Sequence, residues 1–275
     1  MYLCNCNLLY EYMSTEQCYW FIFNQDKLLL KKLPGKGGFE IPFGLNPPIA
    51  LPSGTCLHTI TPMGGDVPCK AFAIDYEYPE DDCYQMWNLR ASWDVLPERF
   101  YLKAGKAKEI LYWDGHTRYC GVCGSPMEMH TEISKRCPNC GNTVWPQLAT
   151  AIIVLICRDD KILMVHARNF KGNFYGLVAG FVETGETLEH AVHREVMEET
   201  HLTIKNLKYF SSQPWPYPCG LMVGFTAEYE SGELELQQSE LSAGMWVSKD
   251  NLPEIPRELS LARKLIDLWL EGKVS

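Results

Sequence analysis

Short apolar runs separated by turn residues fill the first hundred positions. Cys18–Phe23, Lys27–Leu30 and Ala71–Ile74 are strand-length, and the clusters Leu33-Pro34-Gly35, Asn46-Pro47-Pro48 and Met63-Gly64-Gly65 punctuate them. Runs of that length bounded by Pro and Gly predict an antiparallel β domain. The stretch Leu96–Trp113 carries Ala104, Ala107 and Leu111 at helical spacing and predicts a helix leading out of that domain, with Gly105 as its weak point.

The pattern changes near residue 145. Thr150–Ile156 is an unbroken, β-branched apolar run, the signature of a buried strand, and Lys161–His166 repeats the signal after the turn Arg158-Asp159-Asp160. Glu186–Thr200 is helical in period, Leu221–Tyr229 and Ala243–Val247 read as strands, and Leu259–Leu270 as an amphipathic helix. Strands mixed with helices predict an α/β sandwich. No internal repeat shows in the sequence, and no low-complexity tract. The longest nearly unbroken apolar stretch, Ala151–Cys157, falls far short of the roughly 20 residues of a membrane helix.

Length and composition narrow the function classes. At roughly 150 residues per domain, 275 residues predict about two domains. A hydrophobic content of 46% and a charged content of 21% exclude a disordered or fibrous chain. With 25 basic against 34 acidic residues the net charge is −9, so no global basic field holds nucleic acid and any such contact is local. Lys27 is the first basic residue, after Glu11 and Glu16, which does not read as a secretory signal; the expectation is a soluble cytoplasmic protein.

Twelve cysteines would suit a disulfide scaffold, but four of them fall into Cys120-Gly121-Val122-Cys123 and Cys137-Pro138-Asn139-Cys140. Each pair lets a tight turn aim two thiolates at one ion, and two such knuckles complete a tetrahedral sulfur site for zinc. The thirteen-residue spacer is slightly shorter than the usual range of about 15–20 and holds a hairpin. A closed four-thiolate site has no open position, so this zinc is structural. Lys135 and Arg136 alone are too few to make the ribbon a nucleic-acid module.

Glu195, Glu198 and Glu199 share one face of the expected helix, a face that one turn earlier carries Leu188, Ala191 and Val192. An apolar, inward stripe that turns acidic places like charges together where desolvation is costly, and a hard divalent cation removes both penalties. Oxygen ligands alone favour magnesium or manganese over zinc. The bland alternative is a solvated acidic face, but these glutamates continue the buried stripe. The spacing from Gly180 through Glu186 to Arg194-Glu195-Val196-Met197-Glu198-Glu199 resembles the Nudix box, the motif of a family that hydrolyses nucleoside diphosphates linked to another moiety. One position departs: the usual glycine two residues after the glutamate pair is His201, which the left-handed helix cap it would occupy tolerates better than most residues.

Downstream, Ser212-Gln213-Pro214-Trp215-Pro216-Tyr217-Pro218 alternates prolines with aromatics, a rigid extended segment suited to stacking flat rings, or equally a Pro-rich loop with buried aromatics. It resembles the SQPWPFPxS signature of bacterial NADH pyrophosphatases, a family that also places a four-cysteine ribbon before its Nudix domain and a β domain before that. Here the signature's Phe is Tyr217 and its final Ser is Gly220, and a family tyrosine corresponds to Trp145. The resemblance implies an α+β chain with an N-terminal β-rich domain at 1–115, a zinc ribbon at 116–144 and a Nudix α/β/α sandwich at 145–275. It implies that Glu195, Glu198, Glu199, Glu240 and the Ala179 carbonyl hold magnesium or manganese, and that Arg194 and Glu186 form a buried pair orienting the helix glutamates. It further implies that Phe181, Trp145 and Trp215 stack on substrate, that Gln213, Pro214, Pro216, Tyr217, Pro218, Cys219 and Gly220 line the dinucleotide pocket, and that Ala262 and Arg90 contact substrate.

On that reading the chain is an NAD(H) diphosphatase that cleaves NADH or NAD to nicotinamide mononucleotide and AMP, removes NAD caps from RNA, and assembles as the family's homodimer. The alternatives are a Nudix hydrolase for ADP-ribose or another dinucleotide, and a zinc-ribbon nucleic-acid-binding protein with an inactive Nudix domain. The intact glutamates and the acidic balance argue against the last.

Overall fold

A computed structural model describes residues 16–35, 37–63, 67–170 and 172–274. Glu11, Cys4, Cys6 and the Gly64-Gly65 turn of the sequence reading lie outside them. The described chain falls into two units: residues up to Gln147 together with Pro216–Cys219, and Leu148–Trp215 with Gly220 onward.

In the first unit, β1 (Cys18–Asn24), β2 (Lys27–Lys32), β3 (Phe39–Glu40), β4 (Phe43–Gly44), β5 (His58–Met63), β6 (Val67–Ala73) and β7 (Tyr84–Asn88) form one seven-stranded sheet. The sheet is mixed, not antiparallel as the sequence predicts: β1 runs parallel to β6, from Tyr19 opposite Cys69 to Phe23 opposite Ala73. A parallel neighbour needs both faces covered, and β1 meets that need with Trp20, Phe21, Ile22 and Phe23 all buried. The helix α1 (Glu98–His116) follows. Its interior Gly105 is explained by packing, because a Cβ there would stand 3.1 Å from the Pro216 ring. The ribbon adds β8 (Glu128–Thr131), β9 (Ser134–Arg136) and β10 (Thr143–Val144) as a separate three-stranded sheet.

The second unit contains β11 (Ala149–Arg158), β12 (Lys161–Ala167), β13 (Val178–Phe181), α2 (Leu188–Thr200), β14 (Thr203–Trp215), β15 (Gly220–Ser231), β16 (Leu241–Ser248) and α3 (Leu261–Leu270). Its sheet runs β14-β15-β11-β12-β16, with β13 also paired to β11. The unbroken apolar run in β11 has a two-sided cause. Ile152, Val154 and Ile156 pack with Ala191, Val192 and Val196 of α2, while Ile153 and Leu155 pack with Leu265 and Ile266 of α3. This is the helix–sheet–helix sandwich expected of the segment.

Both units share one connectivity. In the same chain order each has a hairpin (β1–β2, β11–β12) and a strand added antiparallel to its first member (β4, β13). Each then has an antiparallel pair whose second strand lies parallel to that first member (β5–β6, β14–β15), a strand closing on the hairpin's second member (β7, β16), and a helix. Only the second unit inserts a helix, α2, before the antiparallel pair; residues 45–57 of the first have none. The recurrence is one of topology, which explains why no sequence period reveals it.

Candidate functional site

The four ribbon cysteines bring their sulfurs within 4.8 Å of one another, with Cys120–Cys140 at 3.6 Å and Cys123–Cys137 at 3.5 Å. Zinc–sulfur bonds of about 2.3 Å in a tetrahedron separate sulfurs by about 3.8 Å, so the quartet fits that ion without rearrangement. The Val122 and Cys140 amides and the Asn142 side chain donate to the sulfurs, as thiolate ligands require. Below the ribbon, Lys135 is 4% exposed and pairs with Asp114 at 2.5 Å, which also holds His58 at 3.0 Å. The His58–Asp114 cluster ties β5, the end of α1 and the ribbon together. Burial works against its charges, but the Asp114 and Cys56 partners outweigh it and raise His58 to about 9, while His58 and Lys135 hold Asp114 down at about 2.

The acidic helix begins at Leu188, two residues later than its period predicts, because the Thr187 hydroxyl caps it by accepting from the His190 amide at 3.2 Å. It ends at His201 in the left-handed conformation, φ +57°, the cap expected where the motif carries glycine. The His201 ring contacts the Glu235 carbonyl at 3.0 Å. Along the inward face, Ala191, Val192, Glu195, Val196 and Glu199 are buried.

Arg194 uses all five of its donors. They reach both Glu186 oxygens (2.6 and 2.9 Å), Glu195 (2.9 Å), Glu198 (2.9 Å) and the Phe181 carbonyl (2.9 Å). The pair with Glu186 is part-exposed rather than buried, with side chains 22% and 18% exposed, and Arg194 holds the Glu186 carboxyl down at about 2. The sequence assigned Arg194 one partner. The links to Glu195, Glu198 and Phe181 follow from the fold, which brings β13 beside the helix.

Glu195 lies directly over Gly180, where a Cβ would stand 2.0 Å from its carboxyl carbon, so that position admits only glycine. Glu199 is 4% exposed and its Oε2 has no hydrogen-bond partner. Burial first, then the charges of Glu195, Glu240 and Glu198, raise its carboxyl to about 8. Glu240 is exposed, on the turn that enters β16. The segment before that turn is laid along the helix end by bonds from the Glu235 and Gln237 amides to the carbonyls of Thr200 and Glu199. The carboxylates of Glu195, Glu198 and Glu199 do not converge within 4.8 Å of one another, since Arg194 holds two of them and Glu199 stands alone. A buried, orphaned carboxylate oxygen beside three other carboxylates is nonetheless a donor set that fits a hard divalent cation.

The aromatic segment is not extended throughout. It runs as strand to Trp215, and Pro216–Cys219 form the turn to Gly220, which pairs with Trp215. A side chain at 220 would bring its Cβ within 3.1 Å of the Trp215 carbonyl and 3.3 Å of the Ala149 carbonyl, which accounts for Gly220 where the signature has serine. Gln213 is buried, its amide donating to the Leu259 carbonyl at 2.7 Å and its Oε1 unpartnered. Phe181 (66% exposed) and Trp145 (57%) present open faces, and Trp215 is part-buried. Ala262 lies in the first turn of α3, and Ala179 pairs with Ile153. Arg90 packs over the Tyr217 ring, 4.4 Å from its centroid.

Three family profiles match: an NADH pyrophosphatase-like rudimentary NUDIX domain over residues 17–113, an NADH pyrophosphatase zinc ribbon domain over 116–144, and a NUDIX domain over 146–269. The first matches the half that carries little specific sequence signal, and its description agrees with the shared connectivity of the two units. The chain is 38% identical to the NAD-capped RNA hydrolase NudC of Photorhabdus laumondii subsp. laumondii over 258 residues, 92% of this chain and 93% of that one. It is 36% identical to the protein of the same description from Klebsiella pneumoniae over 255 residues, with the same coverage. Among solved structures, a NUDIX hydrolase from Nitrosomonas europaea aligns with a TM-score of 0.49 at 17% identity, over 57% of this chain and 92% of that one.

Proposed function

The chain belongs to the zinc-ribbon Nudix family of NADH pyrophosphatases and NAD-capped RNA hydrolases, and from that premise we propose that it hydrolyses the pyrophosphate of NADH and NAD and removes NAD caps from RNA. Water adds across the bond, giving the mononucleotide and AMP, or a 5′-monophosphate RNA. The observation that carries this reading is the orphaned Oε2 of Glu199, buried beside Glu195 on a helix whose arginine leaves that one carboxylate unpaired.

Glu195, Glu198, Glu199, Glu240 and the Ala179 carbonyl are the residues that would hold magnesium or manganese. A divalent cation there neutralises a diphosphate and lowers the pKa of a bound water. Glu199 holds a proton at neutral pH while no cation shares the site, and is the group placed to take a proton from attacking water once it is ionised. Arg194 fixes Glu195 and Glu198 to one side of the helix, and Glu186 fixes Arg194. By the resemblance, Phe181, Trp145 and Trp215 would stack on the bases, Gln213, Pro214 and the turn 216–220 would line the dinucleotide pocket, and Ala262 and Arg90 would each contact substrate. The zinc of Cys120, Cys123, Cys137 and Cys140 supports the fold.

The same reading divides the chain at 1–115, 116–144 and 145–275, and assigns a cytoplasmic homodimer. Among the described residues no helix is long and apolar enough to cross a membrane. The test is product analysis with NADH, NAD-capped RNA and ADP-ribose side by side, with magnesium, with manganese and with neither. Mononucleotide and AMP from NADH, and uncapped RNA, are expected only with a divalent ion. Turnover of ADP-ribose alone would refute the substrate assignment, and light scattering checks the dimer.

A further inference from the structure

Tyr101, Trp93 and Gly105 have no part in the reaction as described, yet Tyr101 and Gly105 meet the Pro216–Cys219 turn directly and Trp93 packs on Tyr101. Tyr101 and Gly105 lie four residues apart on α1, one above the other on a single face. Tyr101 is 3% exposed, and its hydroxyl meets that of Tyr217 at 2.7 Å. Trp93 braces the Tyr101 ring edge-on, with centroids 5.2 Å apart at 86°. Arg90 lies over the far side of the arrangement, its guanidinium 4.4 Å from the Tyr217 ring centroid. One turn along the helix, Pro216 fills the space that Gly105 leaves open. All of these contacts converge on the Pro216–Cys219 turn, which belongs to the same unit as α1.

We propose that Tyr101 is a positioning residue for the dinucleotide, fastening the Pro216–Cys219 turn through Tyr217. The signature's phenylalanine has no hydroxyl for such a bond, so the fastening is particular to Tyr217 of this chain. The proposal rests on the dinucleotide reading of the turn. Its physical basis is the asymmetry of buried hydrogen bonds: Tyr101 is the deeply buried member, so taking the hydroxyl from Tyr217 strands that of Tyr101, whereas removing both hydroxyls is nearly neutral.

The experiment compares wild type, Tyr101→Phe, Tyr217→Phe and the double variant in the full-length, zinc-loaded protein. Hydrogen exchange at the Tyr217 and Cys219 amides reads the turn directly, and NADH kinetics with manganese reads its consequence. Tyr217→Phe, which strands the buried Tyr101 hydroxyl, is expected to speed exchange at both amides and to raise KM about tenfold with kcat within about twofold, the ratio that 1.4 kcal/mol produces. Adding Tyr101→Phe is expected to recover most of that KM. Unchanged exchange in both single variants overturns the proposal, as does unchanged KM in an enzyme whose thermal midpoint alone has fallen. A wild type that leaves NADH intact would instead sink the substrate reading, while the exchange data still decide the fastening. Should Tyr217→Phe fail to fold, Tyr101→Phe removes the same bond from the helix side and carries both readouts.

Discussion

Replacing Glu199 with glutamine separates a cation site from an acidic surface by the sign of two effects. Glu199 is 4% exposed and its carboxyl is raised to about 8, burial being the chief cause and Glu195, Glu240 and Glu198 adding repulsion. A raised carboxyl is protonated in the folded, cation-free protein at neutral pH but ionised in the unfolded chain, so folding takes up a proton. Stability is therefore undiminished below about 4.5 and falls as pH rises toward 8. At about 1.36 kcal/mol for each pH unit above 4.5, the loss reaches about 3 kcal/mol by pH 7. Glutamine cannot ionise, keeps the helix propensity and leaves one polar group unpaired much as the protonated acid does. In buffer holding zinc but no magnesium or manganese, Glu199→Gln is expected to exceed wild type by about 3 kcal/mol at pH 7 in urea unfolding, with the gap closing toward pH 4.5. With manganese added, the same variant should lose NADH turnover by orders of magnitude, because the buried negative charge that would hold the cation is gone. Near wild-type turnover, or a gap that does not widen with pH, would refute the reasoning.

Cys137, 1% exposed, is a zinc ligand whose replacement by alanine should abolish the bound zinc and lower soluble yield before it alters turnover per folded molecule; elemental analysis beside circular dichroism checks this. Trp215→Ala should raise KM for NADH with kcat little changed, the lost stacking being worth on the order of 1–3 kcal/mol, and a collapsed kcat at constant KM would make Trp215 something other than a platform. Asp114→Asn strands the buried Lys135 and His58 and should cost about 3–5 kcal/mol at pH 7. Because His58 is raised to about 9, its share of that stability is whole below about 6.5 and disappears as pH passes 9; the deficit measured by urea titration should shrink between pH 7 and 10.

The residues whose chemistry is local were legible in the sequence. The two cysteine knuckles announce a tetrahedral site because a short turn suffices to aim each pair, and the structure places the four sulfurs as that requires. The inward face of α2 was legible for Glu195 and Glu199, which helical period stacks against Ala191 and Val192, but Glu198, read onto the same buried stripe, is exposed and held by Arg194. The left-handed cap at His201 followed from its distance to the glutamate pair. β14 was less legible: it is a strand on the edge of the sheet, where Pro214 is tolerated and the alternating prolines mask the strand signal.

The sequence by itself determined which chemical groups stand together on one turn or one helix, because residue type and spacing along such an element are properties of the chain alone. What only the tertiary structure decided is whom those side chains meet across it. The parallel pairing of β1 with β6, the connectivity common to both units, the five bonds of Arg194 and the seating of Glu195 against Gly180 all join residues distant in sequence. So does the Tyr101–Tyr217 bond, 116 residues apart. Hydrophobic period specifies that a face is buried, but not the partner that buries it; that choice is made only when the sheets close and every buried donor must find an acceptor.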